Sequence, residues 1–248
     1  MLITYIHHSC FSVETEQSVF LFDYYKGNIP TFPKEKHLFV FSSHSHQDHF
    51  NHDIFKLLND YPQITYVLSK DIHVRKSFFT EPDGFENAKK HIIMIGKNES
   101  LSLPSFTLET FRSTDKGVAF LITEKGRTLY HAGDLNWWLW KEDTVEDQQN
   151  MTKNFRDEIR KLGGRKIDLA FLVLDPRQEE EFYSLGFDFF MRNTDTAHAF
   201  PMHFWRDYRV IGKFKASKEA IPYRDKIMEI TDEGQTFLID DESERILP

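Results

Sequence analysis

The sequence predicts a layered domain of the α/β or α+β class. Three observations carry this expectation. Short runs of β-branched and aromatic residues recur in both halves of the chain, separated by polar turns. One of them, residues 38–42, is apolar without alternation, as expected of a strand covered on both faces. Helical spacing appears between strands in the second half, where Met151, Phe155, Ile159 and Leu162 fall at intervals of four, four and three along one stripe.

In chain order, residues 2–6, 11–14, 19–23 and 38–42 read as strands. Residues 50–60 have helical spacing, with Ile54, Leu57 and Leu58 on one side. A strand over 65–68 and a short helix over 71–79 follow, with Asp71 near the start of that helix. Residues 91–95, 106–111, 118–123 and 128–131 read as further strands. The charged segment 142–162 is a surface helix, its charges a solvated face, and Gly163-Gly164 stops it. Then come a buried strand (168–174), a helix (179–192), a strand (197–201), a helix (207–220) and a late strand (236–239). No stretch has the composition of a linker, so residues 1–248 are expected to form a single domain. Residues 11–23 and 120–134 echo each other as strand, turn, strand, aspartate, although any hairpin has this look.

The 248 residues carry 31 Lys+Arg and 39 Asp+Glu, a formal charge of −8. That balance argues against nucleic-acid binding, which needs a basic face. The single cysteine, Cys10, excludes a disulfide framework and a cysteine-based zinc site. No apolar run approaches the ~20 residues of a membrane span. Residues 1–8 lack a basic region and a long apolar stretch, and read as a first strand rather than a signal peptide. The expectation is a soluble, cytoplasmic protein that acts on a small molecule without a nucleic-acid or membrane partner. A homo-oligomer is compatible with the sequence.

The chemistry is concentrated in Ser43-His44-Ser45-His46-Gln47-Asp48-His49, directly after the strand over 38–42. Imidazole nitrogen and carboxylate oxygen are natural ligands of zinc and similar divalent ions. The carboxyl end of a strand in a layered sheet is where ligands bind. The spacing H-x-H-x-D-H does not fit one helix face, whereas on a loop its members can address two centres.

His44-x-His46-x-Asp48-His49 resembles the signature of the metallo-β-lactamase fold superfamily of metal-dependent hydrolases. His131-Ala132-Gly133-Asp134 is similar to that family's Gly-Asp motif, and Pro201-Met202-His203-Phe204 to the segment of its last metal histidine. The resemblance spans residues 1–208. It is closest to the lactonase-like branch that includes L-ascorbate 6-phosphate lactonase, within a bacterial subgroup with three further motifs. These read here as Ser113-Thr114-Asp115-Lys116-Gly117-Val118, His131–Asn136 with Trp137, and Asp175-Pro176-Arg177. The resemblance implies a four-layer αββα sandwich of α+β class. It also implies one or two divalent ions, zinc first, with manganese and iron as alternatives. His44 and His46 would hold the first ion, Asp48, His49 and His203 the second, and Asp134 would bridge them. The family's usual third histidine of the first site is missing, since no histidine lies between His91 and His131. Asp115 is the candidate to replace it with an oxygen ligand, against the alternatives of an ordinary turn residue or an empty first site.

Other residues carry a bland reading beside a sharp one. His7 and His8 read as hydrogen-bonded histidines at a strand end, although the resemblance implies that a histidine or other polar residue near here lies beside the metal loop. His131 reads as structural, His198 as a core histidine, and His52 as the start of the next helix. Arg177 offers a planar fork for a substrate phosphate or carboxylate, and Asp175 a group that orients a ligand or the nucleophile. Alternatively, Asp175-Pro176 begins a helix with Glu179-Glu180-Glu181 in its first turn. Trp137, Trp138, Trp140 and Trp205 either wall a substrate pocket or pack in the core.

The resulting expectation is a metal-dependent hydrolase that uses metal-bound hydroxide to cleave an ester, lactone or phosphoester, with Asp48 holding the hydroxide and moving its proton. The alternatives are a non-catalytic ligand-binding protein on a degraded site and a nuclease of the same superfamily. The charge and the lack of a basic arm count against the nuclease.

Overall fold

The computed structural model describes residues 1–240, and residues 244–247 as backbone. The chain forms two compact units, residues 1–96 with the segment from 232 onward, and residues 97–231. In chain order the first unit holds β1 (Leu2–His7), β2 (Cys10–Glu14), β3 (Ser18–Phe22), β4 (His37–Ser42), β5 (Ile64–Ser69), α1 (Gly84–Lys89) and β6 (Ile92–Ile95). The second holds β7 (Ser100–Ser102), β8 (Thr107–Arg112), β9 (Val118–Glu124), β10 (Arg127–His131), α2 (Val145–Arg160), β11 (Lys166–Val173), α3 (Leu185–Asn193), β12 (Asp195–Met202) and α4 (Arg209–Ala216). The chain then returns to the first unit with β13 (Thr236–Ile239) and β14 (Glu244–Leu247). No helix among the described residues is long and apolar enough to cross a membrane.

The first unit is an eight-stranded sheet in the order β14-β13-β1-β2-β3-β4-β5-β6. β3, β4, β5 and β6 pair in parallel, whereas β1–β2 and β2–β3 are antiparallel hairpins. β1 therefore runs in the same direction as β3, β4 and β5, and all four end at one edge of the sheet. The near-continuous apolar runs of β3 and β4 are covered on both faces. On one face Val19, Leu21, Leu38 and Val40 pack with Ile54, Phe55 and Ala88. On the other the phenylalanines stack in cross-strand pairs, Phe20 on Phe39 at 5.8 Å and Phe22 on Phe41 at 5.1 Å.

The second unit is a six-stranded sheet in the order β12-β11-β10-β9-β8-β7. β10, β11 and β12 are parallel, and β9 is antiparallel to both β8 and β10. β8, β10, β11 and β12 thus share one carboxyl edge. Pro201 is tolerated in β12 because that strand lies at the margin of the sheet. α2 starts at the Thr144 cap, whose hydroxyl accepts from the Asp147 amide, and buries Phe155 and Ile159 as the spacing predicts.

Several expected elements differ. Residues 50–60 form a 3-10 helix, His52–Asn59. The helix expected over 71–79 is reduced to one 3-10 turn, Lys76–Phe78. Asp71 does not cap it, because its carboxylate accepts from the Ser45 amide at 3.0 Å. The helix expected from 179 begins only at Leu185. The buried Gln178 amide donates to the Trp137 and Leu139 carbonyls, which holds the preceding residues in turns. α1, β7 and β14 are short elements that periodicity does not reveal.

Candidate metal centre

In the first unit, the ends of β1, β3, β4 and β5 deliver His8, Asp23, residues 43–49 and Asp71. Asp23 organises them. It is fully buried, accepts from the Ser43 amide at 2.7 Å and the Ser43 hydroxyl at 2.6 Å, and lies 2.7 Å from His49 Nδ1. A carboxylate only accepts, so His49 carries its proton on Nδ1 and presents an Nε2 lone pair. Ser43 Oγ lies 3.0 Å from His44 Nδ1. Because the Ser43 proton goes to Asp23, His44 Nδ1 donates, and its Nε2 is a lone pair too. His44 Nε2 and His46 Nδ1 are 3.0 Å apart, with His44 buried and His46 exposed. Asp48 Oδ2 stands 3.3 Å from His8 Nε2 and 3.9 Å from His49 Nε2. Asp71 pins the middle of the loop. Hydrogen bonds from Ser69 and Ser45, with the nearby His44, hold its carboxyl below the usual range although burial pushes it up.

In the second unit, β8, β10, β11 and β12 end at Asp115, Asp134, Asp175 and His203. Gly133, at φ 52°, makes the turn that brings Asp134 back to the strand ends. His203 Nε2 lies 3.4 Å from Asp134 Oδ1, and its Nδ1 is 2.9 Å from Asp175 Oδ2. The Asp175 carboxylate is fully buried and also accepts from the Arg177 amide at 2.8 Å and from Arg177 Nε at 3.0 Å. Burial pushes its pKa up, but the His203 and Arg177 hydrogen bonds outweigh it and bring the value down to about 2. Arg177 stacks 4.5 Å over the Trp205 ring, whose edge meets His203 at 5.6 Å. His203, Trp205 and Arg206 all have positive φ, of 65°, 50° and 65°. Such strain costs roughly 1–2 kcal/mol per non-glycine residue and persists where surrounding contacts over-determine it. Asp115 is exposed, and a carboxylate oxygen of it lies within 4.8 Å of one of Asp134. Thr114 ties the two loops, its hydroxyl donating to the Asn136 carbonyl at 2.6 Å.

The first part of the chain, residues 2–149, matches the family model described as a beta-lactamase superfamily domain. The chain belongs to that superfamily. Solved structures extend the likeness to nearly the whole length. Igni18, described as a novel metallo hydrolase from the archaeon Ignicoccus hospitalis, is 17% identical with a TM-score of 0.61, over 96% of this chain and 99% of that one. The metallo-β-lactamase fold protein YhfI from Bacillus subtilis is 15% identical with a TM-score of 0.60, over 95% and 97%. CmlA from Streptomyces venezuelae, a diiron β-hydroxylase, is 14% identical with a TM-score of 0.51, over 82% of this chain and 44% of that one. No curated protein matches the sequence. These neighbours establish the metallo-β-lactamase fold, of α+β class.

The donor chemistry of this superfamily member fits divalent metal. His49 and His203 each have one ring nitrogen held by a buried carboxylate, the arrangement that orients metal-binding imidazoles. Two ligand atoms ~2.05 Å from one ion at a tetrahedral angle lie ~3.3 Å apart. The 3.3 Å and 3.4 Å separations at Asp48 and Asp134 match that edge.

Of the other residues, His131, His7 and His52 stand as expected, whereas Trp137 and His198 are placed differently. Trp137 does not face this edge. It is 7% exposed, stacks on Phe155 of α2 at 5.6 Å, and donates to Thr152 at 3.0 Å. Trp138 and Trp205 are the tryptophans beside His203. Arg177 is committed to Asp175 and Trp205. His131 Nδ1 accepts from the Gly133 amide, and His7 Nδ1 lies 2.8 Å from Glu233. His198 is half-buried rather than in the core, and His52 begins the 3-10 helix as expected, exposed and stacked on Phe78. Sequence reasoning missed Asp23, Ser43, Asp71, Asn136 and Gln178 as positioning groups. Asp23 had a signal, as the aspartate that closes the first half of the internal echo.

Proposed function

We propose that the chain is a metal-dependent hydrolase whose ligands for one or two ions are drawn from His44, His46, Asp48, His49, Asp115, Asp134 and His203. The observation that carries this reading is the pair of buried Asp–His contacts, Asp23–His49 and Asp175–His203, each fixing an imidazole at the carboxyl edge of a sheet. Zinc suits the nitrogen-rich first unit, and the carboxylates Asp115 and Asp134 widen the choice to manganese and iron. CmlA, on the same fold, is a diiron protein, which keeps iron in view.

A divalent ion held by these residues would supply Lewis acidity, making water a better nucleophile near neutral pH. Asp48, whose side chain is 24% exposed, holds the attacking water and takes its proton. Water oxygen bonds to the acyl carbon or phosphorus, the bond to the leaving oxygen breaks, and the proton on Asp48 passes to that oxygen. The substrate class we favour is a lactone or ester of a small, phosphorylated or carboxylated metabolite, following the lactonase-like resemblance. Trp205 and the exposed part of Arg177 are the groups offered to its anionic end. We place the protein in the cytoplasm, with no nucleic-acid partner, on the charge of −8.

The test is elemental analysis with hydrolysis assays on lactone, ester and phosphoester panels. The expected result is two metals per chain, one in Asp115→Ala, and activity abolished by chelation and restored by a divalent ion. Unchanged stoichiometry in Asp115→Ala removes that residue as a ligand. No metal after reloading overturns the hydrolase and favours the ligand-binding reading.

A further inference from the structure

His8 occupies a position that ordinary folding physics assigns to another residue. It is the first of the two residues, His8-Ser9, that turn β1 into β2, where the ladder closes at His7 opposite Cys10. Its φ is +55°, and Ser9 is not among the residues with positive φ. A two-residue hairpin with positive φ at its first position takes glycine there by preference. A histidine there pays the left-handed penalty of roughly 1–2 kcal/mol. It is also 2% exposed, although a hairpin turn is normally a surface feature. Its amide donates to the buried Tyr5 hydroxyl at 3.0 Å, which fixes the turn.

The ring goes to the metal loop. Nε2 stands 3.3 Å from Asp48 Oδ2, and the ring meets His49 edge-on at 5.7 Å. One ligand-capable atom from each of His8, Asp48 and His49 lies within 4.8 Å of the others. The Asp48 separation is longer than the 2.7–2.9 Å typical of a charge-assisted N–H···O bond. It equals the ~3.3 Å edge of two ligands on one small cation. His7, the neighbouring histidine, points elsewhere, to Glu233.

We propose that His8 Nε2 is a ligand of the cation held by Asp48 and His49, so that the first unit contributes a His-Asp-His set. This rests on the metal-dependent reading above. It goes beyond the ligand set implied by the family signature, which does not include His8.

The test uses the full-length protein loaded with cobalt(II). Affinity is measured by competition with a chelator, and the ligand field by the visible absorption bands. Variants are His8→Ala, His8→Gly and, as control, His7→Ala. Glycine suits the turn, so His8→Gly keeps the protein folded by circular dichroism even if alanine does not. The expected result is a loss of affinity of about tenfold or more in both His8 variants, a changed cobalt spectrum, and wild-type behaviour in His7→Ala. Added imidazole restores the spectrum of His8→Gly by filling the vacated position, an effect a purely structural role would not produce. A wild-type protein that binds cobalt beside a folded His8→Gly with unchanged affinity and spectrum overturns His8 alone. A wild-type protein that binds no cobalt overturns this inference together with the hydrolase reading.

Discussion

Replacing Asp23 isolates how a buried carboxylate sets the tautomer of His49, one of the proposed metal ligands. Asp23 receives the Ser43 amide, the Ser43 hydroxyl and His49 Nδ1, all within 2.7 Å. Alanine there strands three buried donors at about 1–3 kcal/mol each, a loss of roughly 3–9 kcal/mol. That is comparable with the ~5–15 kcal/mol stability of an ordinary domain, and the variant is not informative about metal. Asparagine is the sharper perturbation. The Ser43 amide cannot reverse its role, so the asparagine oxygen must face it. The asparagine NH2 then faces Ser43 Oγ and His49 Nδ1. The hydroxyl can turn, but His49 must accept at Nδ1 and so moves its proton to Nε2. The lone pair offered to metal is lost. Metal affinity is expected to fall about 10- to 100-fold, equivalent to roughly 1.4–2.7 kcal/mol, with a loss of metal-free stability of only about 1–2 kcal/mol. Chelator competition gives the affinity, and nitrogen-15 NMR of the imidazoles gives the tautomer. Wild-type affinity in Asp23→Asn, with His49 still protonated at Nδ1, would refute the reasoning.

Asp175→Asn is expected to act on His203 by the same route and to weaken metal binding about tenfold or more, measured in the same competition. An unchanged affinity would mean that Asp175 serves Arg177 alone. Gly186→Ala places a methyl group 2.0 Å from Asn136 Oδ1, in the buried contact between α3 and the loop after Asp134. The expected cost is about 1–3 kcal/mol, read as a fall in Tm, and an unaltered Tm would show that Asn136 moves freely. His37, whose pKa is lowered by burial and by His91, is neutral in the fold at pH values where the unfolded chain begins to protonate. Its contribution to stability is complete above about pH 6.5 and is lost as pH falls through the lowered folded value. His37→Gln should therefore show a smaller drop in Tm between pH 7.5 and 5 than the wild type, and an equal drop would contradict this.

Apart from β7 and β14, the strands of both sheets were legible in the sequence because they are runs of β-branched and aromatic residues, and β3 and β4 are apolar on both faces. The amphipathic α2 was legible for the same reason, with Phe155 and Ile159 on the buried stripe. The loop 43–49 declared its donors because its ligand-capable residues are contiguous. Asp134 and His203 were found only through resemblance, since a lone aspartate or histidine after a strand carries no local signal. The 71–79 and 179–192 helices were misread where a side chain had tertiary work instead, Asp71 on the Ser45 amide and Gln178 on the Trp137 carbonyl. Trp137 and Trp138 are adjacent in sequence, yet one packs under α2 and the other beside His203.

What the sequence alone determined is therefore the donor inventory and the strand runs, because composition and periodicity are local properties of the chain. What only the tertiary structure decided is the orientation of each donor. Strand direction places Asp23 beside Ser43 and His49, and Asp175 beside His203, across separations of 20 to 28 residues. Those contacts choose which imidazole nitrogen keeps its proton. The turn at His8 belongs to the same class, since only the paired ladder of β1 and β2 turns a histidine at a strand end inward toward Asp48.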